Sequence, residues 1–283
     1  MRIIVIIMIS LVSALSPALA RQDNADTDSL NVTGWLAEAR LMPSSTCYPV
    51  FFARKFLGVP YVAHTLEVND KERLVINTRQ LDCTTLVENV VALTLCVRNN
   101  KYSYQDYLHY IYIIRYRNGK NEGYISRLHY FSDWIEDNAQ KGLVAERQSP
   151  NPPFSAVQTV RVGYMSAHQD KYKALRQHPE YIKDIKAMER RLSGKTYRYI
   201  PKSVVRKGTS LRKAVKNGDI IAITCNKKGL DIAHLGIAVW KKDGLHLLNA
   251  SQIHKKVVLE PMLLGDYLHK HPSHTGIRIV EIL

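Results

Sequence analysis

Cys83 follows Asp82 where a strongly apolar run begins, in the stretch QLDCTTLVENVVALTLC, residues 80–96. A thiol in the first turn of a helix sits among unpaired backbone N–H groups at the positive end of the helix dipole. A thiolate is stabilised there, so its pKa is expected to fall below the free value of about 8.5, which makes the sulfur a better nucleophile at neutral pH. Cys96, further along on the apolar face, reads as core. The plain alternative for Cys83 is the same: a buried structural thiol.

A cysteine nucleophile needs a base. Of eleven histidines, His109 falls in a tyrosine-rich helix, His168 and His178 in polar stretches, and His254 in a basic loop. His269, His271 and His274 form HKHPSH, a spacing that fits no standard metal site; we assign no metal and no cofactor. His234 differs because it begins the β-rich stretch HLGIAVW. Strand alternation puts His234, Gly236, Ala238 and Trp240 on one face. With KKDG, residues 241–244, as a four-residue hairpin loop, Trp240 pairs with Leu245 and Gly236 with Asn249. Asn249 then lies on the His234 face as a diagonal neighbour. Its amide can bond one imidazole nitrogen and leave the other for the thiol. That is the base-plus-orienter logic of a cysteine triad, with Gly236 leaving room for the polar side chains to meet. A register slip of one residue would separate the pair.

The elements that must position these groups follow from periodicity. Asp82 is a good N-cap, and Leu86, Val90, Leu93 and Val97 with Val87, Val91 and Leu95 predict a helix apolar over most of its circumference, ending at Asn99-Asn100. Such a helix is central and buried. Helices are also predicted after Thr33, from Ser45 with Pro49 in the first turn, from Ser103 to Gly119, across YFSDWIEDNAQKG, and over residues 180–192. ERLVINT, residues 72–78, reads as a strand, residues 21–30 as loose, and SPNPP as a break. The last third changes period: DIIAIT, AHLGIAVW, LHLLNA and IRIVEIL are short strand-like segments between turn residues. Helices first and an antiparallel sheet after give an α+β fold.

The first twenty residues, MRIIVIIMISLVSALSPALA, have an early arginine, an apolar stretch and a small-residue site at Ala18-Leu19-Ala20. They are expected to be a secretory signal peptide, leaving residues 21–283 as one catalytic domain, exported to the periplasm or cell envelope. No later run is long enough to span a bilayer, so no stable membrane insertion is expected. The formal net charge of +15 becomes +14 when Arg2 is removed with the leader. A basic exported protein suits an anionic partner, but no nucleic-acid-reading motif is present, and nucleic acid is not assigned as a partner. The four cysteines, Cys47, Cys83, Cys96 and Cys225, match no disulfide scaffold.

A cysteine at the start of a buried helix, followed by a sheet with a histidine and a polar third residue, resembles the papain-like peptidases of the NlpC type. The N-acetylmuramoyl-L-alanine amidase-like branch of these bacterial cell-wall hydrolases matches best, on FLGVPYVAHTLE, LDCTTLVENVVAL, YISRLHYFSDWI, GDIIAIT with GLDIAHLGIAV, and LLNAS. The stretches span nearly the whole chain beyond residue 20. The resemblance implies a papain-like nucleophile helix packed on an antiparallel sheet, with extra helices inserted. It implies Cys83 as nucleophile, His234 as general base and Asn249 as third member, where HAS is commoner than the NAS found here. Tyr61, Asp82, Arg127 and His129 become candidates for binding substrate, with capping alone the simpler role for Asp82. His64, where a small residue is expected, would narrow the cleft. The implied substrate is a peptidoglycan fragment, a muropeptide, and the protein is expected to act as a monomer. An endopeptidase of the same fold that cuts the stem peptide after D-glutamate, or a non-catalytic wall-binding module, are the competing readings.

Overall fold

The computed structural model describes residues 17–207 and 211–283. Residues 1–16 of the expected signal peptide lie outside them. The helices are α1 (Pro17–Arg40), α2 (Tyr48–Lys55), α3 (Cys83–Arg98), α4 (Tyr104–Arg115), α5 (Phe131–Gln140), α6 (Tyr164–Ala167), α7 (Lys173–Gln177), α8 (Ile182–Leu192), α9 (Lys202–Lys207), α10 (Leu211–Ala214) and α11 (Leu264–Lys270). The strands are β1 (Val144–Glu146), β2 (Ala156–Thr159), β3 (Thr196–Pro201), β4 (Ile220–Cys225), β5 (Ile232–Trp240), β6 (Leu245–Ser251), β7 (Lys256–Leu259) and β8 (His274–Ile282). They form one sheet in the order β2-β3-β8-β4-β5-β6-β7, with β1 also on β8, and every pair is antiparallel. The fold is mixed α+β.

Helix α3 starts where it does because Asp82 and Thr85 cap each other. Asp82 Oδ1 accepts from the Thr85 backbone N–H at 2.8 Å, and Thr85 Oγ1 accepts from the Asp82 N–H at 2.9 Å. Two of the unpaired groups at the helix start are thereby satisfied. The helix is buried from Thr85 to Val97 and packs with Leu235, Ile237, Leu248 and Ala250 on one face of the sheet. Its one buried carboxylate, Glu88, is held by Arg115 of α4 at 2.9 Å, a pairing a charge needs at that depth. The other sheet face carries Ile221, Ile223, Ala238 and Leu247 against Leu264, Tyr267 and Leu268 of α11. A third apolar cluster joins α8, through Ile185 and Leu192, to Tyr130 and Met165.

Residues 21–30, expected to be loose, belong to α1. Tertiary contacts override their polarity: Asp28 is buried and accepts from the Thr78 N–H and Oγ1 at 2.9 and 2.7 Å. ERLVINT is not a strand. Leu74 and Ile76 pack against the α3 cluster while the carbonyl of Val75 accepts from Arg115 Nη1 at 2.6 Å, so side chains supply what a ladder would. The tyrosine-rich helix ends at Arg115, and Arg117–Gly119 is a separate 3-10 turn because Asn118 turns left-handed at φ 52°. Among the described residues no helix is long and apolar enough to cross a membrane. All four cysteines are free thiols.

Candidate active site

The hairpin pairs Trp240 with Leu245, and the Lys241 N–H closes the loop on Gly244 O at 2.8 Å. His234 and Asn249 meet across the two strands, with His234 Nε2 2.9 Å from Asn249 Oδ1. Asn249 is fully buried, and its Nδ2 faces Leu247 O at 3.4 Å. That orientation leaves the amide oxygen for the imidazole. Nε2 is therefore the protonated nitrogen, and Nδ1 keeps its lone pair.

Gly236 has a steric role in the packing of the hairpin. A Cβ there would lie 2.7 Å from Leu247 Cγ and 2.7 Å from Leu248 O. The glycine admits the neighbouring strand's apolar side chain and backbone. Beside His234 the β4–β5 register shifts: Ile223 pairs with His234 and Thr224 with Ile232, so Ala233 is skipped. A bulge of this kind bends a strand and re-aims its side chains.

Cys83 and His234 line one cavity of about 150 Å³, with His129, Tyr130, Asp231 and Leu235 also on its wall. Both residues are half-buried. The Cys83 thiol is pushed up to about 12, first by burial and then by the Asp82 charge, against which the Leu235 N–H is the leading stabiliser of the thiolate. This overturns the expected depression. The helix start is present, but the sulfur is desolvated and an anion stands one residue away. Burial also lowers the His234 pKa, more than the Asn249 hydrogen bond raises it, and His271 lowers it further. At neutral pH the thiol and the imidazole are therefore both uncharged.

The four residues expected to bind substrate go to different places. Asp82 is the α3 cap. Tyr61 sits beside the Cys83 end of the helix: its backbone bridges Leu81, and its hydroxyl is raised to about 12 by burial, then by Cys83 and Asp82. His129 faces the Cys83–His234 cavity and bonds Tyr124 O through Nε2 at 2.9 Å. Burial and then the Arg127 charge lower its pKa to about 3, so it is a neutral ring. Arg127 faces elsewhere. It lines a separate cavity of about 350 Å³ with Glu67 and Glu72, which stand 3.4 and 3.7 Å from its guanidinium. His64 is exposed, left-handed at φ 63°, and off the cavity wall.

Two features escaped the sequence reading. Asp231 is buried on the cavity wall and accepts from the Ser132 N–H at 2.7 Å. It supplies the cap that Tyr130 does not give α5, fixing the loop before β5; an acid ninety-nine residues from its partner carries no local signal. Two of the HKHPSH histidines form a ring stack. His271 and His274 stack with ring centroids 4.7 Å apart, beside Tyr267, and His271 contributes to lowering the pKa of both His234 and His274.

Comparison with known proteins places this geometry in context. A family model described as AmiA-like, N-acetylmuramoyl-L-alanine amidase-like, matches residues 51–277. Two crystal structures of an N-acetylmuramoyl-L-alanine amidase from Bacteroides uniformis are 41% and 40% identical. Each match covers 83% of this chain and 97% of that one, with TM-scores of 0.77 and 0.76. A Legionella pneumophila protein, 22% identical, shares the fold with a TM-score of 0.65 over 95% of this chain and 97% of its own. No curated protein matches the chain.

Proposed function

The chain belongs to the AmiA-like, N-acetylmuramoyl-L-alanine amidase-like family, and from that premise we propose that it is an exported cysteine amidase acting on muropeptides in the bacterial cell envelope. The observation that carries the reading is the oriented base: His234 held through Nε2 by Asn249 at 2.9 Å, its Nδ1 lone pair free, on the cavity that Cys83 also lines. The related Bacteroides uniformis enzyme supports the choice of bond.

The chemistry follows from two neutral partners. His234 Nδ1 takes the thiol proton as Cys83 Sγ attacks the carbonyl of the lactyl–L-alanine amide. Because the thiol is held up by burial and Asp82, proton transfer accompanies attack and no resting thiolate is needed. Asp82 caps Thr85, which leaves the first N–H groups of α3 to stabilise the tetrahedral oxyanion. His234 then gives its proton to the leaving amine of L-alanine. A muramoyl thioester remains on Cys83, and water, deprotonated by the same imidazole, releases the acid.

Incubation with defined muropeptides, read by mass spectrometry, tests the assignment. The expected products are the free muramic acid sugar and a stem peptide beginning with L-alanine, and Cys83→Ala should yield neither. Cleavage confined to bonds within the stem would reassign the protein as an endopeptidase. Turnover by Cys83→Ala equal to wild type would remove the thiol mechanism.

A further inference from the structure

The reaction cavity holds about 150 Å³, which is small against the 300–1,000 Å³ typical of small-molecule sites. It has room for the reacting amide, and the rest of a muropeptide must lie outside it. A second cavity, of about 900 Å³, adjoins it and shares Leu230 on its wall. One side of this groove is the β4–β5 loop, which α6 holds in place. The Gly163 and Tyr164 N–H groups both donate to Gly229 O at 3.1 Å, and Val162 forms an isolated bridge to Gly229. Gly229 has φ +79°, and a Cβ there would lie 2.9 Å from Tyr164 N, so the close approach requires glycine. The same loop runs on through Asp231 into His234. Groove and base are therefore parts of one continuous, anchored segment.

The groove is charged in one sense only. Arg161, Lys227 and Lys228 line it and no carboxylate does. All three are exposed, and none has an ion-pair partner among the described residues. The contrast with the Arg127 cavity is direct, since there two glutamates neutralise the guanidinium. Tyr164, stacked on His168 at 4.1 Å, adds a flat aromatic face to the same wall. A site of this size, cationic without counter-charges and contiguous with the reaction centre, fits a peptide that carries free carboxylates.

Resting on the amidase reading, we propose that this groove is a subsite for the stem peptide, with Arg161, Lys227 and Lys228 holding its carboxylates while the lactyl–alanine amide reaches Cys83. The residues bind and do no chemistry. Their contribution lies in affinity, and it weakens with salt because the cations are exposed.

The test compares two muramoyl peptides of the same length, one with free stem carboxylates and one with those groups converted to carboxamides. Wild type is expected to favour the acid about tenfold in kcat/KM, through KM, and to lose the preference at high salt. Arg161→Gln/Lys227→Gln/Lys228→Gln should abolish the preference and Lys227→Glu/Lys228→Glu should reverse it, with both variants checked by thermal melting. The same acid preference in wild type and variants, or none in wild type, overturns the subsite. If wild type cleaves neither compound, the amidase reading fails, and calorimetry on Cys83→Ala decides the groove separately. Acid-selective binding that the triple substitution removes sustains it, and unselective or absent binding overturns it.

Discussion

Asn249 Oδ1 lies 2.9 Å from His234 Nε2, and its amide nitrogen faces the carbonyl of Leu247 in its own strand. The side chain is anchored at one end by its backbone and at the other by the ring it orients. An asparagine so placed fixes both the tautomer and the rotation of the imidazole. Asn249→Ala should lower kcat about 10²-fold with KM little changed, the lower end of what a positioned base supplies. Steady-state kinetics with a circular-dichroism control checks this. A loss confined to KM would mean that Asn249 serves binding.

The protonation states set a pH profile. In the proposed mechanism His234 must be neutral to accept the thiol proton, and burial lowers its pKa below the ordinary 6.5. Activity should be flat through pH 7 to 8 and fall only as the pH drops through that lowered value, so the acid limb lies below 6.5. The thiol, pushed up to about 12, should react slowly with iodoacetamide at neutral pH and faster as the pH climbs past 9. Alkylation already fast and pH-independent between 6 and 8 would show a resting thiolate–imidazolium pair instead.

Gly236 tests how closely the hairpin must pack. A methyl there meets Leu247 and the Leu248 carbonyl at 2.7 Å, so Gly236→Ala should cost about 1–3 kcal/mol in unfolding free energy. Activity should fall further than the lost stability explains, since β5 carries His234 two residues away. Urea denaturation together with kcat separates the two. Unchanged stability would show that the strands have slack.

Stability should fall in acid for a nameable reason. His129 and His274 have folded pKa values lowered to about 3 and about 4 from 6.5, in both cases chiefly by burial. Below pH 6.5 the unfolded chain binds protons that the folded one refuses, so stability declines as the pH falls and the slope flattens once the folded rings titrate. His129→Asn should shallow the decline between pH 6.5 and 4 in denaturation curves. An unaltered slope would locate the acid sensitivity elsewhere.

Local signals carried the parts of the molecule that local physics decides. The cap at Asp82, the apolar circumference of α3, the hairpin at KKDG and the His234–Asn249 register all follow from spacing within about sixteen residues. The features that local spacing did not reveal depend on distant partners. Asp28 orders the polar start of α1 through Thr78, fifty residues away, and Arg127 is claimed by Glu67 and Glu72. The Cys83 thiol shows the same limit in energetic form. A helix start argues for a depressed pKa, but burial and the adjacent Asp82 charge outweigh it, and burial is a property of the folded chain. The strands β1, β2 and β7 are three or four residues long, too short for alternation to stand out from loop.

The most direct test of the account is the mass of the covalent intermediate. Wild-type protein mixed with a defined muropeptide, quenched in acid within the first turnover and measured intact, should carry one muramoyl group, mapped by peptide digestion to Cys83. An adduct composed of stem peptide, an adduct on another residue, or cleavage with no adduct in a form that still turns over as Cys83→Ala would contradict it.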